Sequence, residues 1–294
     1  MKIGLILNAP AESHDELREG IGSIRNRGHF VAPRLTFEQG DARRWARAMT
    51  LDGYDLLVAA GGDGTVNQVV NGIQAALDEG AARAPGLGIV PLGTGNDLAC
   101  SLEIPAGVGE SLAVAVEGRG RGVDVARVND LYFLNASSGG IGAEATDEAS
   151  AEAKRTFGAL AYLVTGVRKF VSLRPSRGRF ATSGTLYEGS FTLFAVGNSE
   201  RTGGGNRLTP RADLSDGLLD VCIVKEVSRV ELAGLLPALR AGEHLDHPAV
   251  IYGQVKRLTV EAENELAVNA DGEPMRGRQF AYAVVDRRLE IMTP

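Results

Sequence analysis

Tyr54-Asp55-Leu56-Leu57-Val58-Ala59-Ala60-Gly61-Gly62-Asp63-Gly64-Thr65-Val66-Asn67 is the stretch on which the fold turns. Residues 54–60 form a short, mostly apolar run of the kind that a parallel sheet buries on both faces. The run passes without a linker into a glycine turn and then into a helical pattern ending near Glu79. Glycines at a strand-to-helix turn let successive backbone N–H groups converge on phosphate oxygens, and the helix N-terminus adds partial positive charge. Thr65 offers a hydroxyl donor, and Asp63 can orient a metal-bound water or a phosphate chain. A tight turn with Thr65 as helix cap explains the same residues about equally well. The spacing is neither that of a P-loop nor that of a GxGxxG dinucleotide site.

Outward from this stretch, strands alternate with helices. Residues 2–7 read as a buried strand, 12–27 as a helix, 29–36 as a strand and 41–49 as a helix. Residues 87–92 make a fourth strand, which runs into Pro91-Leu92-Gly93-Thr94-Gly95-Asn96-Asp97 and a further helix. That rhythm predicts a doubly wound parallel sheet with helices on both faces. Ligands of such sheets bind at the carboxyl ends of the strands, where both glycine loops fall. Two phosphate-type loops on neighbouring strand ends fit a triphosphate.

The rhythm changes near residue 126. Residues 132–138, 189–198, 218–225, 254–262, 266–270, 280–285 and 288–292 read as strands, and 143–154, 159–171 and 229–241 as helices. Short connections between many strands predict an antiparallel, sandwich-like second domain. The expected division is therefore 1–125 and 126–294. Glycine, 38 residues in all, gathers in four places: Gly61 to Gly64, Gly93 to Gly95, Gly139 to Gly142 and Gly203 to Gly205. Such clusters mark tight turns or close approach to a ligand and suggest a cleft.

Two further segments carry acids in turn-like surroundings. Pro210-Arg211-Ala212-Asp213-Leu214-Ser215-Asp216-Gly217-Leu218-Leu219-Asp220 sets three aspartates before a strand, a density of oxygen donors that suits Mg²⁺. A solvated turn is the competing account. Asn269-Ala270-Asp271-Gly272-Glu273-Pro274 places two acids directly after a strand. Phosphoryl transfer to an alcohol needs a carboxylate near the attacking hydroxyl. On local grounds an Asp-Gly hairpin turn is as good a reading.

Gly61-Gly62-Asp63-Gly64-Thr65 followed by Pro91-Leu92-Gly93-Thr94-Gly95-Asn96-Asp97 resembles the diacylglycerol-kinase catalytic-domain family, in particular its soluble bacterial YegS-like and diacylglycerol kinases. The resemblance continues, in family order, through Asp124, Asn135 to Gly142, Gly197-Asn198, Gly203 to Gly205, Pro210 to Asp220 and Asn269 to Pro274. It implies an NAD-kinase-like two-domain fold with the active site in a cleft between the domains. It also implies a kinase that transfers the γ-phosphoryl group of ATP to a lipid hydroxyl, with diacylglycerol or phosphatidylglycerol as acceptor. By the same resemblance ATP meets Gly61, Gly62, Asp63, Gly64, Thr65, Val66, Asn67 and Thr94, with Asn8 and Thr36 on the adenine-ribose side. Mg²⁺ is implied at Asp213, Asp216 and Leu218, with a water network reaching Asp97 and Asp124. The general base is implied at Asp271 or Glu273. The family's first loop reads like NPxSG; here Asn8-Ala9-Pro10-Ala11-Glu12 lacks the glycine. An NAD-kinase-like soluble-substrate kinase and a nucleotide-binding regulator without catalysis are the alternatives.

Net charge and cysteine usage narrow the class. With 37 acidic against 31 basic residues, the balance is the reverse of a nucleic-acid binder's. Cys100 and Cys222 lie in apolar or helical runs and read as small buried hydrophobes. Four histidines form no triad or metal motif; His244 and His247 read as capping or solvated groups. The start of the chain does not resemble a signal peptide, and no apolar stretch has the ~20 residues of a membrane span. A cytoplasmic protein in peripheral contact with membrane is expected. Residues 154–187 hold seven basic and no acidic residues, Lys154 to Arg179, and offer a face for anionic headgroups. A buried helix beside a solvated basic loop is the plainer reading. Exposed strand edges leave room for a homodimer.

Overall fold

The computed structural model describes residues 1–8, 13–142 and 175–294, and divides them into two compact units, Met1–Val123 with Arg287–Pro294, and Asp124–Asp286.

In the first unit the sheet runs β2-β1-β3-β4-β15-β5. Its parallel half is β1 (Lys2–Leu7), β2 (Phe30–Leu35), β3 (Leu56–Gly61) and β4 (Gly86–Pro91). Leu5 lies between Pro33 and Val58 in register. Pro33 is tolerated because β2 is an edge strand, where a missing N–H costs no ladder bond. Helix α1 (His14–Asn26) buries Leu17, Ile21 and Ile24, a helical stripe at i, i+4 and i+7. They join Leu5, Val58 and Val90 with Val108, Leu112 and Val116 in one core. The last three belong to α5 (Val108–Glu117), a helix the sequence reading does not anticipate.

Helices α2 (Asp41–Leu51) and α3 (Asp63–Asp78) pack closely, with most of α3 from Thr65 to Ala76 buried. Gly72 permits the contact, since a Cβ there would lie 2.4 Å from the Arg43 carbonyl oxygen. A short helix, α4 (Asp97–Ser101), follows the second glycine loop.

Strand β15 (Leu289–Thr293) corrects one expectation. Placed with the second domain by sequence order, it instead lies parallel to β4 and antiparallel to β5 (Arg119–Val123) in the first sheet. Leu289 and Ile291 are its buried side, and sequence order alone carries no record of which sheet offers them a core.

The second unit is antiparallel, in the order β12-β11-β10-β8-β13-β14-β6-β7 among the described residues. Its strands are β6 (Ala126–Val128), β7 (Leu131–Phe133), β8 (Ala136–Gly142), β9 (Ser176–Ala181), β10 (Thr185–Gly197), β11 (Leu219–Lys225), β12 (Val250–Val255), β13 (Arg257–Ala270) and β14 (Glu273–Val284). The two strands expected at 254–262 and 266–270 are one long strand, β13, irregular between Glu261 and Leu266. Both β8 and β9 bridge β10 and β13, each along a different part of them. Phe180, Phe191 and Phe194 meet edge-to-face with centroids 5.0–5.9 Å apart inside this sheet. The opposite face of β10 and β11 is covered by α6 (Arg229–Ala241) through Leu235 and Leu239. The helices expected at 143–154 and 159–171 lie outside the described residues.

Candidate active site

In the first unit the structure brings the two glycine loops together. Helix α3 begins at Asp63, inside the glycine motif, with Gly62 as its extended N-cap. Thr65 is therefore not the cap; it sits buried in the first turn, where its Oγ1 accepts a hydrogen bond from Asn8 Nδ2 at 3.0 Å. The Leu92 amide donates to the Gly61 carbonyl at 3.0 Å, tying the second loop to the first. A Cβ on Gly93 would stand 2.5 Å from the Gly62 Cα, so the loops touch backbone to backbone and only glycine fits. By contrast a Cβ on Gly64 would meet nothing within 4 Å. Asp63 stays in the favourable field of the helix start, with its Oδ1 3.4 Å from the Leu98 amide.

The other residues implicated in nucleotide binding divide by exposure. Thr94 is exposed, whereas Val66 and Asn67 are buried. Asn67 is engaged within its own helix, its Oδ1 accepting from Asn71 Nδ2 at 2.8 Å. Thr36 spends both its amide and its hydroxyl on the Leu7 carbonyl, at 2.9 and 3.0 Å. Asn96 adopts a left-handed backbone and closes the second loop, accepting from the Gly93 amide and donating to its carbonyl. Asp97 is buried at the start of α4.

In the second unit Asp124 is a buried organiser of the aspartate-rich segment. Its amide donates to the Leu214 carbonyl at 2.7 Å, and its Oδ2 accepts from the Gly217 amide at 2.6 Å. Asp213 and Asp216 are exposed, and each closes a short turn, Asp213 on Ser215 and Asp216 on the Leu218 amide. Asp220 is buried and accepts from Tyr252 Oη at 2.7 Å and Gln254 Nε2 at 3.1 Å. Burial pushes the Asp220 carboxyl above its ordinary range, opposed by those two hydrogen bonds and reinforced by the charge of Asp216.

The fit to Mg²⁺ follows from the donor set. Among the described residues no three His, Cys, Asp or Glu side chains cluster around one point. Asp213, Asp216 and the carbonyl of Leu218 are nonetheless all hard oxygen donors. A carboxylate has about four acceptor positions, so one turn bond does not exhaust it. The set fits a cation that keeps most of its waters, the ordinary habit of Mg²⁺, rather than a closed cage.

The clearest asymmetry is at the turn between β13 and β14. Asp271 and Gly272 both have positive φ, 45° and 91°, the two-residue hairpin geometry that Asp-Gly favours. The Asp271 carboxylate accepts from three consecutive main-chain amides, Leu134 at 2.7 Å, Asn135 at 3.1 Å and Ala136 at 3.0 Å. Its own amide donates to the Ala136 carbonyl. Glu273, two residues on and half-buried, pairs through its backbone with Ala270, but its carboxylate has no hydrogen bond or ion pair among the described residues. One acid is an anchor; the other is uncommitted.

The asparagines behind this turn enter the sequence reading only as part of the family resemblance, with no role given to them. Asn198 donates from Nδ2 to the carbonyls of Asp124 and Leu134, and its amide reaches the Asn135 carbonyl. Asn269 Oδ1 accepts from the Gly272 amide. Asn135 Oδ1, Asn198 Oδ1 and Asn269 Nδ2 are buried without a partner, the situation that buried water ordinarily relieves. Buried asparagines have no periodic signature, so apart from their place in the family motifs nothing local in the sequence tells them from surface ones.

Three lesser expectations change. Cys222 is buried, its thiol pushed up to about 12 by burial, but Cys100 is exposed. His244 is not solvated but fully buried, and it takes the capping role instead: its Nδ1 meets the Ala238 carbonyl in the last turn of α6, with Nε2 beside the Leu208 carbonyl and Cys222. Of the basic stretch, Lys154, Arg155, Arg168, Lys169 and Arg174 lie outside the described residues. Arg177 and Arg179 face Glu263 and Glu188 at 3.3 and 4.0 Å, so acids from other segments offset their charge. No described helix is long and apolar enough to cross a membrane.

Both units have counterparts among known proteins. Residues 2–128 match the diacylglycerol kinase catalytic domain, and residues 136–293 the YegS C-terminal NAD kinase beta sandwich-like domain. A Pseudomonas aeruginosa protein named "Probable lipid kinase YegS-like" is 36% identical over 100% of this chain and 94% of its own length. A Chromohalobacter salexigens protein of the same name is 38% identical over 99% of this chain and 92% of its own. The solved structure of a Bacillus anthracis protein assigned as a diacylglycerol kinase superposes with a TM-score of 0.83 at 26% identity, covering 100% of this chain and 95% of that one. With both units matched and relatives of this identity spanning its length, the chain belongs to the diacylglycerol-kinase catalytic-domain family, in its YegS-like branch.

Proposed function

We propose that the chain is an ATP- and Mg²⁺-dependent kinase that phosphorylates a lipid hydroxyl, with diacylglycerol or phosphatidylglycerol as the acceptor. The observation that carries the reading is the division of labour between Asp271 and Glu273. A general base needs an oxygen able to take a proton from the attacking hydroxyl. Asp271 has both oxygens on backbone donors, and protonating it would break them. Glu273 has no such commitment, so it is the base, and Asp271 holds the turn that presents it.

The first unit supplies the phosphate site. The loop Gly61 to Asn67 offers main-chain donors and the N-terminal field of α3, and Thr94 adds an exposed hydroxyl. These groups stabilise charge on the phosphoryl oxygens without rearranging, because the contact of Gly62 and Gly93 fixes the loops beforehand. Asp213, Asp216 and Leu218 are the residues that would hold Mg²⁺, whose chemistry is to offset charge on the phosphates. Asp124 keeps that segment in place through Leu214 and Gly217. The lipid is reached by peripheral contact with a membrane surface.

The test is transfer of radiolabelled γ-phosphate from ATP to mixed lipid micelles, with NAD as a parallel acceptor and EDTA as control. Label in the organic phase, lost with EDTA and with Glu273→Gln, supports the reading. Label on NAD alone, or none in any fraction, overturns it.

A further inference from the structure

Phe37 is the most exposed large apolar side chain among the described residues, with 89% of its surface open. A single exposed apolar side chain is ordinary on a protein surface, so what counts is where this ring stands and that its turn is firmly held. The Phe37 amide donates to Asp41 Oδ2 at 2.9 Å, and the Glu38 amide lies 3.3 Å from the same oxygen. Asp41 is itself only 3% exposed, and its other oxygen takes Arg44 at 2.7 Å. Gly40, in a left-handed conformation that favours glycine, donates its amide to Gln68 Oε1 at 3.2 Å. The turn is thus bolted both to α2 and to α3, the helix that starts inside the glycine motif.

Its place in the sheet gives the ring a purpose. Phe37 directly follows Thr36, which is bonded twice to Leu7; Asn8 comes next along β1 and donates to Thr65. The ring therefore stands at the carboxyl ends of β1 and β2, on the same rim as the phosphate-type loops after β3 and β4. Ligands of parallel sheets bind along that rim. Of its exposed neighbours Glu38 and Gln39 are polar and only Leu35, at 51% exposure, is apolar, so the patch has the size of a single planar ligand group rather than of a broad apolar layer.

We infer that Phe37 is the stacking platform for the purine base of the nucleotide. The inference rests on the kinase reading above and adds the residue that selects a base-bearing triphosphate over a bare polyphosphate. Base–aromatic stacking is sequence-tolerant, since every base has a π-face, and depends on the ring rather than on its hydrogen bonds.

The experiment is calorimetric titration of the full chain and of Phe37→Ala, Phe37→Leu and Phe37→Trp with ATP and, separately, with inorganic tripolyphosphate. Thermal melts verify that each variant folds. The expected result is a loss of ATP affinity of roughly 10- to 100-fold for Phe37→Ala, a smaller loss for Phe37→Leu, and affinity within about threefold of the parent for Phe37→Trp. Tripolyphosphate affinity should stay within about twofold throughout. Unchanged ATP affinity in Phe37→Ala, or equal losses for ATP and tripolyphosphate, would overturn the assignment. So would normal ATP binding with lost sedimentation on anionic liposomes, which would place the ring against lipid. Failure of the parent chain to bind ATP would overturn the kinase reading together with this one.

Discussion

Replacing Asp271 by Ala removes the acceptor for three main-chain donors at once, those of Leu134, Asn135 and Ala136, all in buried residues. It also forces a residue with a Cβ and no polar side chain to hold φ at 45°. Hydrogen bonds to a charged group contribute about 1.5–3 kcal/mol each, but Asp271 is half-buried and water would reach some freed donors, so about 3 kcal/mol in total is expected. For a unit of this size that lowers the melting temperature by roughly 6–12 °C. Near-UV circular dichroism of the tyrosines and phenylalanines is the right probe. The chain's one tryptophan, Trp45, lies in the first unit and would miss the change. Glu273→Gln should behave oppositely: stability within about 0.5 kcal/mol of the parent, and turnover lower by about 10²- to 10⁴-fold. An Asp271→Ala variant that melts like the parent, or a Glu273→Gln variant with near-normal turnover, would refute the division of roles.

The glycine loops make a paired prediction. Gly93→Ala should separate the loops, costing about 1–3 kcal/mol by overpacking and weakening ATP binding, whereas Gly64→Ala should leave the melt unchanged and still weaken ATP, because the space above it is needed by the ligand and not by the fold. Equal melts for the two variants would contradict the backbone contact of Gly62 and Gly93. Asp220 links the aspartate-rich segment to pH. Its folded carboxyl is raised above the unfolded value by burial, so its stabilising contribution is full below the ordinary carboxylate range and is lost as pH rises through the raised value. Asp220→Asn should therefore flatten the dependence of melting temperature on pH from about pH 4 upward; parallel curves would show that Asp220 is not the group responsible.

Much of the first unit was legible because its signals are local. A buried strand followed by a helix has a pattern within a few tens of residues, and four repetitions of it, two through glycine loops, give a parallel sheet. The competing reading of Thr65 as helix cap lay three residues late, since Gly62 serves as N-cap as readily as a later residue. Strand β15 was misassigned because the pattern Leu289, Ile291 says only that one face is buried, and not which sheet buries it. In the second unit β13 was split at 262–266 for a different reason: the irregularity between Glu261 and Leu266 mimics a loop in sequence.

The sequence by itself determined the chemical inventory: two glycine loops at strand ends, an aspartate-rich turn and an Asp-Gly-Glu hairpin, in an order that belongs to one family. These follow from short-range rules of backbone freedom, hydrophobic period and turn chemistry. The tertiary structure alone decided which member of each set is committed to the fold. Asp271 is spent on amides 134–136, more than a hundred residues away in the chain, while Glu273 is not. Thr65 faces Asn8 rather than capping its helix, and Phe37 stays in solvent because its turn is fastened to Asp41 and Gln68. Hydrogen-bond partners of such separation are set by how strands register and helices pack, and no local window of residues contains that information.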